Sequence, residues 1–347
     1  MILRRDLLKT AAALPAAAFA QGVTGPARDS DAFLGDWHGR WKSEARPAGA
    51  PLMAQAIPRG RDRYQINFIE EFDQRCGPDA VVEGRAKSGK LRFSGSGWSG
   101  DASGESMRGE GVIFRSSAQF ELKKTVRLSP NLGTKAPQGA VVLFDGSDLG
   151  KWEGINAIHA TGPVVWKVQN GITYAPPIPK GQAGVFRHLG TKEAFRDYRL
   201  HVEFRLPLYP EATGQARANS GLLFEDYSYH ELQILDSYGL PGYYNDCGAI
   251  YKIAAPIINM CAPPLQWQSY DITYHAPRYT DDGKLNEAAR ITVDQNGKLI
   301  HKDLELPYTL NGAKLRQEQP KARKVGRIRL TYHDSPVAYR NIWLVRL

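Results

Sequence analysis

Short runs in which apolar and polar residues alternate recur along the whole chain. Two clear examples are residues 63–69 (RYQINFI) and 200–205 (LHVEFR). Because side chains of a β-strand point alternately to its two faces, this period predicts strands with one buried face. Turns rich in Gly, Pro and Ser separate the runs, and the sequence lacks long amphipathic helical patterns. The pattern therefore predicts an all-β protein.

One of these runs carries polar residues on a single face. In residues 229–239 (YHELQILDSYG), Glu231 and Gln233 point one way, whereas Leu232 and Ile234 point toward the interior. Side chains two positions apart on a strand are separated by about 7 Å. That spacing suits hydrogen bonds to neighbouring hydroxyls of one sugar ring. The run therefore predicts a sheet whose polar face binds a ligand.

The chain is long enough for two cores, and a turn-rich stretch divides it. With 347 residues it exceeds the usual size of one domain. Residues 129–139 (SPNLGTKAPQG) are predicted to link an accessory β-domain at residues 31–128 to a second domain at residues 140–347. In the first domain we interpret Trp37, Trp41 and Trp98 as anchors of a small β-barrel or sandwich, with sugar stacking as the alternative.

The first 20 residues are predicted to be an export signal. Arg4 and Arg5 precede an alanine-rich apolar run that ends at Ala20. This order is typical of a twin-arginine signal with a small-residue cleavage site. The run is too short and too interrupted by Pro15 to span a bilayer, and no membrane span is expected elsewhere. We therefore expect a periplasmic or secreted protein.

The charge of the chain bears on its binding partners, and its cysteines bear on disulfide pairing. The net charge is +9, but basic and acidic residues are interspersed and the densest basic cluster, residues 321–324, is short. We therefore expect no nucleic-acid partner. Cys247 and Cys261 are close enough in sequence to bridge, and Cys76 is expected to be free. The sequence leaves both that pairing and the oligomeric state open.

Segments of the second domain resemble a known family. They are residues 143–152 (LFDGSDLGKW), 219–222 (NSGL), 231–236 (ELQILD), 267–272 (WQSYDI) and 339–343 (YRNIW). In this order they resemble the 3-keto-disaccharide hydrolase family over about residues 140–347. The resemblance implies a concanavalin-like jelly-roll β-sandwich of two antiparallel sheets, preceded here by the small antiparallel β-domain. The family often has glutamine where this chain has Thr331, two residues before His333.

The resemblance implies chemistry that starts at a ketone. A carbonyl at C3 of a sugar makes the C2 proton acidic, so the C1 substituent can leave by elimination. The chain is therefore predicted to be an exported carbohydrate-active enzyme that cleaves 3-keto glycosides or disaccharides with net hydrolysis. The alternatives are a non-catalytic, lectin-like carbohydrate-binding protein and a conventional glucanase. A retaining glucanase needs two carboxylates about 5–5.5 Å apart, and the amide of Gln233 disfavours it.

The candidate site residues divide into catalytic and binding groups. Glu231 is predicted to be the base or a metal ligand, Asp236 the second carboxylate, and His333 a proton donor. A divalent metal ion held by Glu231 with Asp236 or His333 is the cofactor that the pattern allows. For Arg340 we also consider a salt bridge to Glu203 across the sheet. The predicted substrate-binding residues are Asn219, Gln233, Lys252, Trp267 and Arg340.

Overall fold

The chain folds almost entirely into antiparallel β-sheets. The computed structural model describes residues 27–42, 49–73, 77–113, 116–156, 160–177, 185–224, 230–307, 309–310, 313–314 and 325–347. Within these ranges the only helical segment is a short 3₁₀ turn, Gly214–Ala216. The predicted all-β class is therefore confirmed. The predicted export signal and Cys76 lie outside the described residues.

The first unit is a closed antiparallel barrel in which each strand pairs with the next and β8 pairs with β1. Alternation sets the two faces of each strand. In β4, Ala80 and Val82 are buried, whereas Val81 and Glu83 are exposed. The strands are β1 Gly35–Trp41, β2 Pro51–Pro58, β3 Arg63–Ile69, β4 Ala80–Lys87, β5 Lys90–Gly95, β6 Trp98–Ser103, β7 Ser106–Ile113 and β8 Ser116–Thr125.

Aromatic side chains fill the interior of the barrel. Trp37, Trp41 and Trp98 are at most 3% exposed, and the Trp98 ring stacks on Phe68 with centroids 4.2 Å apart. Phe120 packs against the same cluster. Rings buried in this way stabilise a core and cannot stack on a sugar. The interpretation of these tryptophans as core anchors is confirmed.

The second unit is a sandwich of two antiparallel sheets. One sheet has six strands in the order β11-β10-β14-β25-β16-β17, and the other is built on the path β12-β13-β26-β15-β18-β21-β22, with β9 added to β26. Two small hairpins, β19-β20 and β23-β24, lie apart from them. The strands are β9 Val141–Phe144, β10 Trp152–Ile155, β11 Thr161–Gly162, β12 Lys167–Gln169, β13 Ile172–Tyr174, β14 His188–Thr191, β15 Tyr198–Arg205, β16 Ser220–Leu223, β17 Glu231–Ile234, β18 Trp267–His275, β19 Arg278–Tyr279, β20 Leu285–Glu287, β21 Ala289–Gln295, β22 Lys298–Leu306, β23 Thr309–Leu310, β24 Ala313–Lys314, β25 Arg329–Tyr332 and β26 Ala338–Arg346.

The core of the sandwich lies between its sheets and fixes the orientation of β17. Leu232 and Ile234 of β17 are fully buried in the same cluster as Phe204 and Tyr270 of the larger sheet. Because strand side chains alternate, the intervening residues of β17 point to the outer face of the six-stranded sheet. The predicted division of this strand into an apolar and a polar face is therefore observed.

The barrel docks on the sandwich beside the end of β17. Tyr238 Oη donates a 2.6 Å hydrogen bond to Asp36 of the barrel, and Asn67 Nδ2 donates to the Gly239 carbonyl at 2.9 Å. Ile57 of the barrel joins the sandwich core. Gly239 has φ +72°, and any side chain there would overlap Ile57. The segment that follows the polar strand is thus anchored on the barrel.

The segment between the two units packs on the outer face of the larger sheet. Gly133 donates its backbone N–H to Glu203 at 2.6 Å, and Ser129 and Ser269 share a 2.7 Å hydroxyl hydrogen bond.

Cys247 and Cys261 are both buried free thiols in this structure. In the described part of the chain, no helix has the length and hydropathy needed to cross a bilayer.

Candidate functional site

The outer face of the six-stranded sheet presents rows of side chains from neighbouring strands. Leu223 pairs with both Arg329 and Glu231, so these three residues lie on one face. Gly221 likewise pairs with Thr331 and Gln233 in the adjacent row. This face therefore combines a carboxylate, a guanidinium, a hydroxyl and an amide.

Glu231 lies in a depression that a glycine creates. Gly221 has no side chain, and a Cβ atom there would overlap the Glu231 carboxylate. Thr331 Oγ1 donates a 2.9 Å hydrogen bond to Glu231 Oε1. The Glu231 side chain is 15% exposed, so its carboxylate is fixed yet accessible from the open face. Thr331, which replaces the family's usual glutamine, thus contacts the candidate base directly.

His333 is a titratable neighbour of the Glu231 carboxylate. Its Nε2 atom lies 3.6 Å from Glu231 Oε1, and the His333 side chain is 44% exposed. The centroids of the His188 and His333 rings are 6.1 Å apart. His188 Nδ1 accepts a hydrogen bond from the Tyr332 backbone N–H at 3.0 Å. The structure therefore brings the predicted base and the predicted proton donor together.

Three amide side chains form a cluster beside Glu231. Gln215 Oε1 accepts a 2.8 Å hydrogen bond from Gln233 Nε2 and a 3.1 Å hydrogen bond from Asn219 Nδ2. The buried acceptors Gln233 Oε1 and Asn219 Oδ1 have no hydrogen-bond partner among the described residues. A buried polar atom of this kind is unfavourable until a ligand donates to it. Gln233 is 1% exposed and Asn219 is 9% exposed, so a sugar hydroxyl reaches these oxygens only when the side chains that cover them move.

Asp236 does not reach the polar face. Its Oδ2 atom accepts hydrogen bonds from Arg217 Nε at 3.1 Å and Nη2 at 2.5 Å, and its Oδ1 atom accepts the Tyr238 N–H at 3.2 Å. The Asp236 side chain is 1% exposed. The expectation of a second catalytic carboxylate at this position is not supported, because the strand ends at Ile234 and the chain then turns inward.

Trp267 and Arg340 belong to the other sheet. Arg340 Nε donates a 2.6 Å hydrogen bond to Glu203, and its guanidinium lies 4.1 Å from the centroid of the Trp267 ring. The cross-sheet salt bridge that we considered for Arg340 is the arrangement observed. Trp267 and Arg340 were expected to bind substrate together with Glu231. The structure contradicts this, because β18 and β26 are strands of the larger sheet, whereas Glu231 lies on the six-stranded sheet.

Lys252 lies next to the polar strand. The adjacent Tyr251 donates its backbone N–H to the Glu231 carbonyl at 2.8 Å, so residues 250–252 run alongside the start of β17. The Lys252 ammonium lies 5.1 Å from the centroid of the Tyr251 ring. The backbone at Lys252 is left-handed, with φ 60°. This cation remains a candidate for the rim of the site.

Sequence reasoning missed two contributors to the site. Gln215 lies in the 3₁₀ turn, and Arg329 lies on the same face as Glu231. The alternation in residues 329–332 (RLTY) is a signal that would have placed Arg329 and Thr331 on one face. The turn residues carry no such period, so their positions follow only from the folded chain.

The described side chains do not form a site for a metal ion held by the protein. No cluster of three or more His, Cys, Asp or Glu side chains with suitable geometry occurs in the described ranges. Glu231 and His333 supply two donors, and Asp236 is held by Arg217. Hard cations such as Ca²⁺ take six or more oxygen ligands. The predicted metal site therefore gains no support from these residues.

Comparison with known proteins identifies the class of the sandwich. The family model for the 3-keto-alpha-glucoside-1,2-lyase-like domain matches residues 139–345, which confirms the resemblance seen in the sequence. A protein of Parabacteroides distasonis ATCC 8503, provisionally named a glycosyl hydrolase, is 32% identical, with 61% of this chain and 85% of that chain covered and a TM-score of 0.50. No curated protein shows significant sequence similarity to the chain.

Other structures from the same organism, also provisionally named glycosyl hydrolases, are more distant. One is 18% identical, with 60% of this chain and 94% of that chain covered and a TM-score of 0.42. Another is 20% identical, with 60% of this chain and 99% of that chain covered and a TM-score of 0.40. The family match together with the 32% identical structure supports a function on carbohydrates.

Proposed function

Because the chain belongs to the 3-keto-alpha-glucoside-1,2-lyase-like domain family, we propose that it cleaves 3-keto glycosides by elimination across C1 and C2. The broader class, a carbohydrate-active protein, follows from the family and from the similar structure. The twin-arginine-like segment supports the further proposal that this reaction takes place in the periplasm or outside the cell. Water can add to the unsaturated sugar afterwards, which gives net hydrolysis.

The observation that carries this proposal is one well-held carboxylate on an open polar face. Glu231 is oriented by Thr331 Oγ1 at 2.9 Å and lies over Gly221. A general base must have a fixed position from which it reaches the proton that it removes. In this proposal the amides of Gln233 and Asn219 bind the sugar hydroxyls once the side chains that cover them move aside, and so hold the C2–H bond against this base.

In the proposed first step the Glu231 carboxylate removes the proton from C2. The electron pair of the C2–H bond moves toward the C3 ketone, and the enolate oxygen takes the negative charge. We assign the stabilisation of that charge to Arg329, which is 3% exposed on the same face, and to Lys252, which lies beside the start of β17. The ketone supplies the acidity that an unmodified glycoside lacks.

In the second step the enolate collapses, a C1–C2 double bond forms, and the C1–O bond breaks. The departing oxygen takes a proton, for which we propose His333 as the donor. Its Nε2 atom lies 3.6 Å from the Glu231 carboxylate, so one water molecule is enough to pass a proton between the two residues between turnovers. The products are an alcohol and an unsaturated 3-keto sugar, and no oxidant or reductant is consumed.

The position of Asp236 argues against a conventional glucanase. A retaining or inverting glycosidase uses two carboxyl groups that flank the scissile bond. Here Asp236 is 1% exposed and paired with Arg217, and the position on the open face two residues after Glu231 is an amide. One base and a ketone substrate are consistent with this arrangement.

Mass spectrometry of the products would test the proposal. The protein is incubated with a 3-keto disaccharide and, separately, with the unoxidised disaccharide, each in D₂O and each with and without chelator. Only from the 3-keto disaccharide do we expect release of the alcohol together with either the unsaturated 3-keto sugar or its hydration product, which carries deuterium at C2. Both products should be lost with Glu231→Gln. Glu305→Gln, an exposed carboxylate on the larger sheet, is the matched control and should retain activity.

Two outcomes would contradict the proposal. Cleavage of the unoxidised disaccharide at a comparable rate would favour a conventional glycosidase. Tight binding of either sugar by wild-type protein without any product would favour a lectin-like protein, for which the same sandwich fold is suited.

A further inference from the structure

Three arginines stand side by side on the outer surface of the barrel. Arg85 pairs directly with Arg63 on one side and with Arg92 on the other, across β3, β4 and β5. Directly opposed residues on antiparallel strands have Cβ atoms about 4.5–5.5 Å apart, and like charges in such positions destabilise the sheet. A row of this kind is therefore unfavourable unless something neutralises it.

The barrel itself does not neutralise this row. Among the described residues, no carboxylate lies within ion-pair distance of Arg63, Arg85 or Arg92. The next position in the row is Asp101, and it is engaged by Lys90 at 3.4 Å and by Arg108 at 3.9 Å. Asp101 is thus shared between two other cations, and none of the described carboxylates pairs with Arg63, Arg85 or Arg92.

A groove of about 910 Å³ lies over the same residues. The described side chains that line it include four arginines and one carboxylate, Glu83. The aromatic rings that line it, Tyr64 and Phe93, are buried in the barrel core and do not stand out from the surface. The groove is therefore cationic and has no exposed ring on which a base could stack. The four arginines are Arg59, Arg63, Arg85 and Arg92.

The groove begins beside the candidate active site. Thr213 lines it, and Gln215, two residues later, accepts the hydrogen bond of Gln233 at 2.8 Å. Arg59 lies at the same end, where burial and the nearby Arg217 guanidinium lower its pKa to about 10. A chain of sugars bound over Glu231 could therefore continue past the 3₁₀ turn onto the arginine row.

We propose that this groove binds a carboxylate-bearing glycan, a chain of uronic acid residues, as an accessory site of the barrel. Arginine donates paired hydrogen bonds to carboxylates in a fixed planar geometry, so a row of arginines suits a repeating acidic chain. A single-stranded nucleic acid is disfavoured because its bases need aromatic platforms, which the described lining lacks. The site rests on the carbohydrate-active class and not on the elimination step.

Isothermal titration calorimetry with an oligogalacturonate would test this site. The full chain carries Glu231→Gln in all samples, so that binding is measured without turnover and a failure of the catalytic proposal does not affect the result. We expect oligogalacturonate to bind and a neutral malto-oligosaccharide of the same length to bind much more weakly. The double variant Arg85→Gln/Arg92→Gln should lower the affinity for oligogalacturonate about tenfold, since each exposed ion pair contributes a few-fold.

A second double variant controls for total charge. Arg40→Gln/Lys123→Gln removes the same number of exposed cations from β1 and β8, outside the groove, and should leave the affinity unchanged. Binding should also weaken as salt is added, because exposed charges are screened. Equal losses in the two double variants, equal binding of the neutral oligosaccharide, or equal binding of single-stranded DNA would each overturn the proposal.

Discussion

The Glu231 carboxylate lies directly over the backbone of Gly221, in space that a side chain at position 221 would occupy. Glu231 of β17 pairs with Leu223 of β16, so Gly221 lies diagonally opposite Glu231, two residues along β16. On the other side of Gly221, Thr331 donates its hydroxyl hydrogen bond to the same carboxylate oxygen at 2.9 Å. The adjacent strand β16 and the strand beyond it, β25, therefore determine where the candidate base stands.

We expect Gly221→Ala to reduce turnover of a 3-keto disaccharide by about 100-fold, because the new methyl group displaces the Glu231 carboxylate by roughly 1 Å. The fold should survive, since the methyl group points to the open face and not to the core. Steady-state kinetics beside circular dichroism would check this. If a folded Gly221→Ala variant kept the wild-type kcat, catalysis would not require the fixed position of Glu231.

We expect Thr331→Val to lower kcat about tenfold, because it removes a hydrogen bond to a charged acceptor while keeping the volume of the side chain. Thr331→Ser keeps the hydroxyl and is the matched control, which should remain close to wild type. The two variants would be compared under saturating substrate. Equal losses in both would attribute the effect to packing and not to the hydrogen bond with Glu231.

We expect Asp236→Asn to destabilise the protein by about 3–5 kcal/mol, because it leaves the buried Arg217 guanidinium without its partner. Chemical denaturation would measure the free energy of unfolding. Glu193→Gln, which breaks the exposed pair with Arg346, is the control and should change it little.

A double variant would separate the charge of Arg217 from its packing. Asp236→Leu combined with Arg217→Met leaves no unpaired buried charge and should recover most of the stability that the single change removes. If Asp236 were instead a catalytic carboxylate, Asp236→Asn would abolish turnover without a loss of stability.

Stability should depend on pH through a buried cluster on the larger sheet. Burial alone would lower the pKa of His201, but its hydrogen bonds with Asp271 and Glu203 outweigh burial and raise it to about 9. Burial raises the pKa of Glu203, yet its hydrogen bonds with His201, Asn341, Gly133 and Arg340 together lower it to about 2. His201 therefore stabilises the fold most below its ordinary value of 6.5, and Glu203 above its ordinary value of 4.5.

We expect the melting temperature to fall as the pH rises from 6.5 through about 9, where His201 loses its proton, and as the pH falls from 4.5 toward 2, where Glu203 gains one. Differential scanning calorimetry of wild type and His201→Gln over this range would test the alkaline limb. If the melting temperature of His201→Gln fell as steeply as that of wild type between pH 6.5 and 9, the loss of stability at alkaline pH would belong to another group.

We expect Tyr238→Phe to weaken the contact between barrel and sandwich by about 1–3 kcal/mol, because Asp36 loses a buried hydrogen-bond donor at 2.6 Å. Arg127 still pairs with Asp36 at 2.7 Å, so the charge remains neutralised. Urea unfolding would measure the change. Tyr174→Phe, which removes an exposed hydroxyl contact with Gln169, should have little effect, and an equal effect would contradict the buried role of Tyr238.

Local alternation predicted much of the strand that carries the candidate base. It separated Glu231 and Gln233 from Leu232 and Ile234, and the structure places the second pair in the core. It could not predict the position of Asp236, because the strand ends at Ile234 and the period no longer applies. The buried pair with Arg217 depends on an irregular segment that has no sequence period.

The amino-acid sequence by itself determined the all-β class and the face to which each strand residue points. It did so because both depend on a two-residue period and on turn residues, which are local properties. Only the tertiary structure decided which strands are neighbours, since strand pairing depends on contacts between distant residues. It thereby set Thr331 and His333 against Glu231, placed Trp267 and Arg340 on the other sheet, and aligned the arginines of the barrel.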